Sequence, residues 1–176
     1  MTGIIFPAAA AYAAGCVPAA ALVERLVGPH SWSRWAGWAV DVVKGFAAVV
    51  LFEAAHPWGA ALAATAVVAG HVWPIAGGAP GRQPLLVAAG ALSAVSPIAV
   101  PAWGLIWGLA YVASGWPSAA SAAATVLAPL AVGVVAGWPL GLMCVPVCVL
   151  VLERMREPIR RVLLGTEPRH LWRGGG

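Results

Sequence analysis

Asparagine is absent from the 176 residues, aspartate and lysine occur once each, and charged residues make up only 9% of the chain. A water-soluble domain carries about 25% charged residues, so this chain cannot clothe a folded surface in charge. Folded around one core, it would turn Ala, Val, Leu and Trp toward water and aggregate. With 61% hydrophobic residues and a mean hydropathy of +0.87, most of the chain takes lipid as its solvent. Period-2 alternation is also missing from the long Ala/Val/Leu runs, which excludes a transmembrane barrel.

Cysteine is scarce as well. Cys16, Cys144 and Cys148 all lie in apolar runs; an odd number there reads as small packing residues rather than a disulfide framework. Cys144 and Cys148 share a helix face, but no His or acid accompanies them, so no metal and no cofactor is expected. No nucleotide loop or nucleic-acid motif occurs, which leaves no expectation of a nucleic-acid partner. Ala13-Ala14-Gly15-Cys16 faintly resembles a lipoprotein cleavage box, yet no Lys or Arg precedes it. The first apolar run is therefore expected to be retained as a helix.

What the chain does have is a series of apolar runs, at about 4–26, 35–55, 59–73, 85–95, 98–114, 119–136 and 140–152. A transmembrane helix needs about 20 residues. The pattern predicts an all-α, polytopic integral membrane protein of about seven helices. Residues 1–153 form the expected membrane domain and residues 154–176 a basic cytoplasmic tail. Pro and Gly punctuate the runs, most densely in Gly77-Gly78-Ala79-Pro80-Gly81-Arg82-Gln83-Pro84, which cannot continue a helix. The fourth run is short for a full span.

The few charges set the expected orientation. With seven spans and the arginine-rich tail in the cytoplasm, Arg25, Arg34, Arg82 and the tail arginines all fall inside, while the turns near His56-Pro57, Ser96-Pro97 and Trp138-Pro139 carry no Arg or Lys. The positive-inside rule then gives an N-out, C-in topology. Trp32, Trp35, Trp73 and Trp116 fall at inner boundaries and Trp58, Trp103 and Trp138 at outer ones, as an aromatic belt requires. Trp107 sits deeper.

Asp41 and Lys44 lie at i, i+3 within the second run. Each charge in a bilayer costs about 2.5–3.5 kcal/mol on insertion scales, so the two are expected to face the bundle interior. There they form either a structural ion pair or a lysine aimed at an anionic ligand and held by Asp41. His71 sits one turn before Pro74, and Arg82 lies in a Gly-rich loop whose backbone N–H groups suit a phosphate. The segment from Glu153 to Leu164 reads as an amphipathic stretch leaving the membrane, suited to anionic headgroups. Gly165-Thr166-Glu167-Pro168-Arg169 follows as a turn.

The order of these tail residues resembles the third motif of the bacterial acyl-phosphate:glycerol-3-phosphate acyltransferases of the PlsY type, approximately R-x-R-E-N-I-x-R-L-x-x-G-T-E-P-R. Arg154, Arg156, Glu157, Ile159, Arg161, Gly165, Thr166, Glu167, Pro168 and Arg169 match it in register. Asp41-Val42-Val43-Lys44-Gly45 is similar to that family's D-x-x-K-G, and Gly70-His71-Val72-Trp73-Pro74-Ile75 to its G-H-x-F-P-I. The resemblance covers most of the chain from the second run onward.

This resemblance implies transfer of an acyl chain from acyl phosphate to glycerol 3-phosphate or a related acceptor in phospholipid synthesis, at a bacterial plasma membrane. It implies Lys44 and His71 as catalytic residues, with Asp41, Arg82, Arg160, Arg161, Gly165 and Glu167 binding substrate. Acyl phosphate is an activated mixed anhydride, so no Ser or Cys nucleophile is required; positioning and charge stabilisation can supply much of the catalysis. The chain departs from the family pattern at its first motif, S-G-N-x-G-x-x-N-x-x-R, where Val27-Gly28-Pro29-His30-Ser31-Trp32-Ser33-Arg34-Trp35-Ala36 stands instead. The G-G-K-G loop is replaced by Gly81-Arg82-Gln83-Pro84, and Pro158 takes the place of the third motif's Asn. These departures leave a second expectation, a catalytically silent relative acting as a subunit or scaffold beside a membrane-protein partner. A small transporter or lipid-binding protein is a third.

Overall fold

The structure, a computed structural model, describes residues 2–28, 31–53, 58–75 and 84–168. Its elements are helices: α1 (Thr2–Cys16), α2 (Ala19–Val27), α3 (Ser31–Phe52), α4 (Gly59–Val72), α5 (Pro84–Val95), α6 (Ala99–Ser114), α7 (Pro117–Ala136), α8 (Trp138–Arg154) and α9 (Arg156–Leu163). They fall into two units, residues 1–97 and 98–176. Among the described residues three stretches are long and apolar enough to cross a membrane, Ile5–Val27, Trp35–Phe52 and Pro117–Ala136, a fourth if the bent pair α8–α9 counts as one span, while α4, α5 and α6 are shorter apolar helices.

The apolar runs read from the sequence all become helix, with one difference. The first run is not continuous: α1 ends at Cys16 and α2 begins at Ala19. Pro18 causes the break, because it has no N–H to donate back to the preceding turn and its ring clashes there. The carbonyls of Gly15 and Val17 lie at this break, where one cation collects both of them (below), and that of Val17 also accepts from the Ala19 N–H at 2.9 Å. The turn near His56-Pro57, most of the Gly/Pro loop with Arg82, and Arg169 and Arg173 lie outside the described residues.

In the first unit α1 packs on α4 and α3 on α5. Lipid tails are as apolar as Leu, so helices in a membrane associate by close packing at small residues. Here the packing is reciprocal. A Cβ on Gly15 would lie 2.2 Å from the Val67 carbonyl oxygen, and one on Gly70 would lie 2.1 Å from that of Tyr12. Between α3 and α5, a Cβ on Gly45 would lie 2.1 Å from the Val87 oxygen and one on Gly90 1.9 Å from that of Val42. Backbone therefore lies directly on backbone at both crossings. Gly45 and Gly70 belong to the two short motifs that carry Lys44 and His71, and their role is to let those helices approach.

In the second unit α7 is the central helix, packed on α6 and α8. Its buried stripe is small: Ala120, Ser121, Ala124, Thr125, Ala128, Val132 and Gly133. Two indoles of α6 bond to hydroxyls of that stripe, Trp103 Nε1–H to Thr125 Oγ at 3.2 Å and Trp107 Nε1–H to Ser121 Oγ at 2.9 Å. Trp103, Trp107 and Tyr111 stack along one face of α6, and the opposite side, with Leu105, Leu109 and Val112, stays exposed as a lipid-facing surface does. After Arg154 the chain bends by 62° into α9, where charges become frequent.

Candidate functional site

Lys44 sits in mid-α3, side chain 10% exposed, with Asp41 one turn earlier and 5% exposed. The i, i+3 spacing places Asp41 Oδ1 3.3 Å from the ammonium; the alignment makes it an ion pair rather than a directed hydrogen bond. The other partners come from different helices. Lys44 donates to the Val17 carbonyl at 3.0 Å and to the Gly15 carbonyl at 3.4 Å, both at the α1–α2 break. His71 Nδ1, on the last turn of α4, lies 3.0 Å away. The ammonium is thus surrounded by protein acceptors from α1, the break, α3 and α4.

An ammonium has three donors and no acceptor, so Nδ1 of His71 is the acceptor of that contact and the ring proton resides on Nε2. His71 Nε2 is buried and has no hydrogen-bond partner. Such orphaned groups are rare in folded proteins and call for an explanation. Close by in the chain, the Tyr12 hydroxyl of α1 donates to the Trp73 carbonyl at the C-terminal end of α4, so the end of α4 that carries His71 is tied to α1.

A second cluster forms in the other unit, around Glu167. Gly165, with φ of +69°, turns the chain after α9, and the N–H groups of Thr166 and Glu167 return to the Arg161 carbonyl at 2.9 and 3.2 Å. Only a residue tolerant of the left-handed region serves there, which explains the glycine. The turn brings Glu167 Oε2 to 3.1 Å from Arg161 Nε. Its other oxygen, Oε1, accepts from Ser118 Oγ at 2.5 Å, and its backbone carbonyl accepts from Trp116 Nε1 at 3.1 Å. Along α9, Arg156 pairs with Glu153, and Arg160 lies 3.6 Å from Glu157; these pairs are exposed.

Of the residues singled out in the sequence, the structure thus brings together Asp41, Lys44 and His71 in one unit, and Arg161, Gly165 and Glu167 in the other. Arg160 faces outward on α9, beside Glu157. Arg82 lies outside the described residues. Five participants were not singled out in the sequence as site residues: Tyr12, the Gly15 and Val17 carbonyls at the α1–α2 break, Trp116 and Ser118. The only signal for the break was Pro18 within an apolar run. For Trp116 and Ser118 there was none, because their partner lies 51 and 49 residues further on.

Apolar helices joined at glycines, with a buried Lys–His–Asp cluster in one unit and, in the other, an arginine–glutamate clamp on a basic amphipathic helix, define a helical integral membrane protein with a polar cluster in each unit. Residues 31–165 match the family model described as glycerol-3-phosphate acyltransferase. The chain belongs to that family. It is 35% identical over 140 residues to the glycerol-3-phosphate acyltransferase of Rubrobacter xylanophilus, covering 77% of this chain and 70% of the relative. Against the enzyme of that name from Bordetella avium it is 31% identical over 189 residues, covering 90% of this chain and 89% of the relative. Among solved structures it is similar to PlsY, an integral membrane glycerol 3-phosphate acyltransferase, in its glycerol 3-phosphate form. That likeness has a TM-score of 0.77 at 26% identity and covers 95% of each chain. The lysophosphatidic acid form of PlsY is similar at a TM-score of 0.79, covering 94% of each chain.

Proposed function

We propose that the protein transfers an acyl chain from acyl phosphate to the 1-hydroxyl of glycerol 3-phosphate, as a seven-span, N-out, C-in protein of the bacterial plasma membrane. The observation that carries the reading is the likeness over 95% of both chains to PlsY in its glycerol 3-phosphate form, together with the Arg161–Glu167 clamp at the end of the matched motif. The described structure holds no observation favouring a silent subunit or a transporter. On the proposed topology residues 1–153 are the membrane domain, residues 154–176 face the cytoplasm, and membrane lipids are its surroundings; a fluorescent protein fused at the C-terminus then folds and fluoresces.

The chemistry asks little of the side chains. The 1-hydroxyl oxygen attacks the acyl carbonyl carbon, a new ester C–O bond forms, and the bond from that carbon to the phosphate oxygen breaks. Phosphate leaves with the electron pair, and the hydroxyl proton ends on phosphate or water. Both substrates are anionic, and their phosphates fit the guanidinium groups of Arg161 and Arg160, with Arg82 as a further cation in the Gly-rich loop. Arg161 is better placed than Arg160, because Glu167 holds one edge of its guanidinium.

Lys44 serves through His71. Its donors are directed at protein acceptors, with Asp41 balancing its charge, and by occupying Nδ1 it holds His71 as an Nε2–H donor. A donor of this kind stabilises a developing oxyanion and cannot act as a general base.

The reading is tested in a bacterial strain whose own glycerol-3-phosphate acyltransferase is under conditional control. Expression of this chain restores growth when that gene is shut off. Failure to do so, with the protein present in the membrane fraction, contradicts the reading.

A further inference from the structure

We propose that Ser118 and Trp116, which lie outside the three short motifs quoted above, are positioning residues for Arg161. The inference rests on the reading above, in which Arg161 meets a substrate phosphate.

Three donors converge on one residue. Glu167 receives Ser118 Oγ–H on Oε1 at 2.5 Å, Arg161 Nε–H on Oε2 at 3.1 Å, and Trp116 Nε1–H on its backbone carbonyl at 3.1 Å. The two carboxylate oxygens are held by different elements, so neither the plane of the carboxylate nor its distance from Arg161 is left to chance. Glu167 is well covered, its side chain 12% exposed, whereas Arg161 is 51% exposed. An exposed ion pair between two mobile side chains orients nothing. Here one member is locked, and it steers the other.

The direction of the steering follows from which nitrogen is used. Guanidinium is a planar fork with five N–H donors. Glu167 takes the Nε–H, and the contact leaves the Nη pair outside it, the edge suited to gripping phosphate through two parallel hydrogen bonds. Ser118 lies in the first turn of α7, where the positive end of the helix dipole also favours the carboxylate. The anchor matters because α9 leaves α8 through a 62° bend at a single residue, Met155. Without the hold of the α6–α7 turn on Glu167, the arginines of α9 would move with that joint.

Kinetics with purified full-length protein, a long-chain acyl phosphate and glycerol 3-phosphate test this. Ser118→Ala raises the KM for glycerol 3-phosphate about fivefold to tenfold and changes kcat less than about twofold, the pattern of lost ground-state binding. Ser118→Thr, which keeps the hydroxyl, stays near wild type, and Trp116→Phe shifts KM in the same direction as Ser118→Ala. In an Arg161→Ala background, Ser118→Ala adds nothing, because its effect runs through Arg161. An unchanged KM in Ser118→Ala, a threonine variant that fails to rescue, or effects that add across the two sites overturns the proposal. Should wild type form no lysophosphatidate, the acyltransferase reading fails by itself. The inference is then decided by titration calorimetry with inorganic phosphate. Equal weakening of phosphate binding by Ser118→Ala and Arg161→Ala upholds it; no binding by wild type, or binding indifferent to Ser118, overturns it.

Discussion

Lys44 and His71, 27 residues apart in the chain, meet at 3.0 Å from Nζ to Nδ1, and the lysine that makes this contact also collects the Gly15 and Val17 carbonyls at the break beside Pro18. One side chain therefore ties α1, α3 and α4 together where two of them carry the family's short motifs. The arrangement has energetic and chemical consequences that separate on mutation.

Removing Lys44 leaves Asp41 buried without its counter-charge. Breaking a buried pair by deleting one partner costs about 3–5 kcal/mol. Lys44→Ala is therefore expected to unfold at markedly lower temperature in detergent, and the double variant Asp41→Asn, Lys44→Met to recover part of the loss. Thermal unfolding of the three proteins side by side checks this.

His71 divides into two roles that two substitutions distinguish. His71→Asn retains an acceptor near the Nδ1 position and loses the Nε2 donor; His71→Gln retains an amide N–H near the Nε2 position. The Gln variant is expected to keep most of its kcat, and the Asn variant to lose about 100-fold, the scale of one removed oxyanion donor. Steady-state rates, with thermal unfolding as the control for folding, provide the check.

The sequence showed where apolar helices lie, the i, i+3 pairing of Asp41 with Lys44, and the turn at Gly165, because each is local and reports through spacing or composition. It also singled out Asp41, Lys44 and His71 without showing that they meet. That meeting depends on helix crossings, and the crossings depend on glycines whose role is invisible until a carbonyl oxygen lies against them. The break at Pro18 was legible as a proline but was masked by unbroken hydrophobicity around it. Nothing local could join Ser118 to Glu167, since a hydroxyl in an alanine-rich helix start has no pattern of its own.

The glycines supply a stability test with an internal control. At Gly45 and Gly70 an added Cβ would press on a backbone carbonyl, whereas at Gly104 and Gly108 it meets nothing within 4 Å. Overpacking costs about 1–3 kcal/mol. Gly45→Ala and Gly70→Ala are expected to lower thermal stability by that amount, and Gly104→Ala and Gly108→Ala to leave it unchanged or slightly raised, since Ala favours helix over Gly. Equal effects at all four positions would contradict the packing described.

The proposed function makes this chain an acyltransferase with Arg161 as a phosphate contact. Its most direct test is a single stoichiometric assay on purified protein, with long-chain acyl phosphate and radiolabelled glycerol 3-phosphate, following lysophosphatidate and released phosphate together. Wild type is expected to form both in equal amounts, with kcat/KM lowered about tenfold or more in Arg161→Ala, the loss of one charged hydrogen-bonding partner. Absence of lysophosphatidate from the wild-type reaction, or an Arg161→Ala variant as active as wild type, would contradict the account.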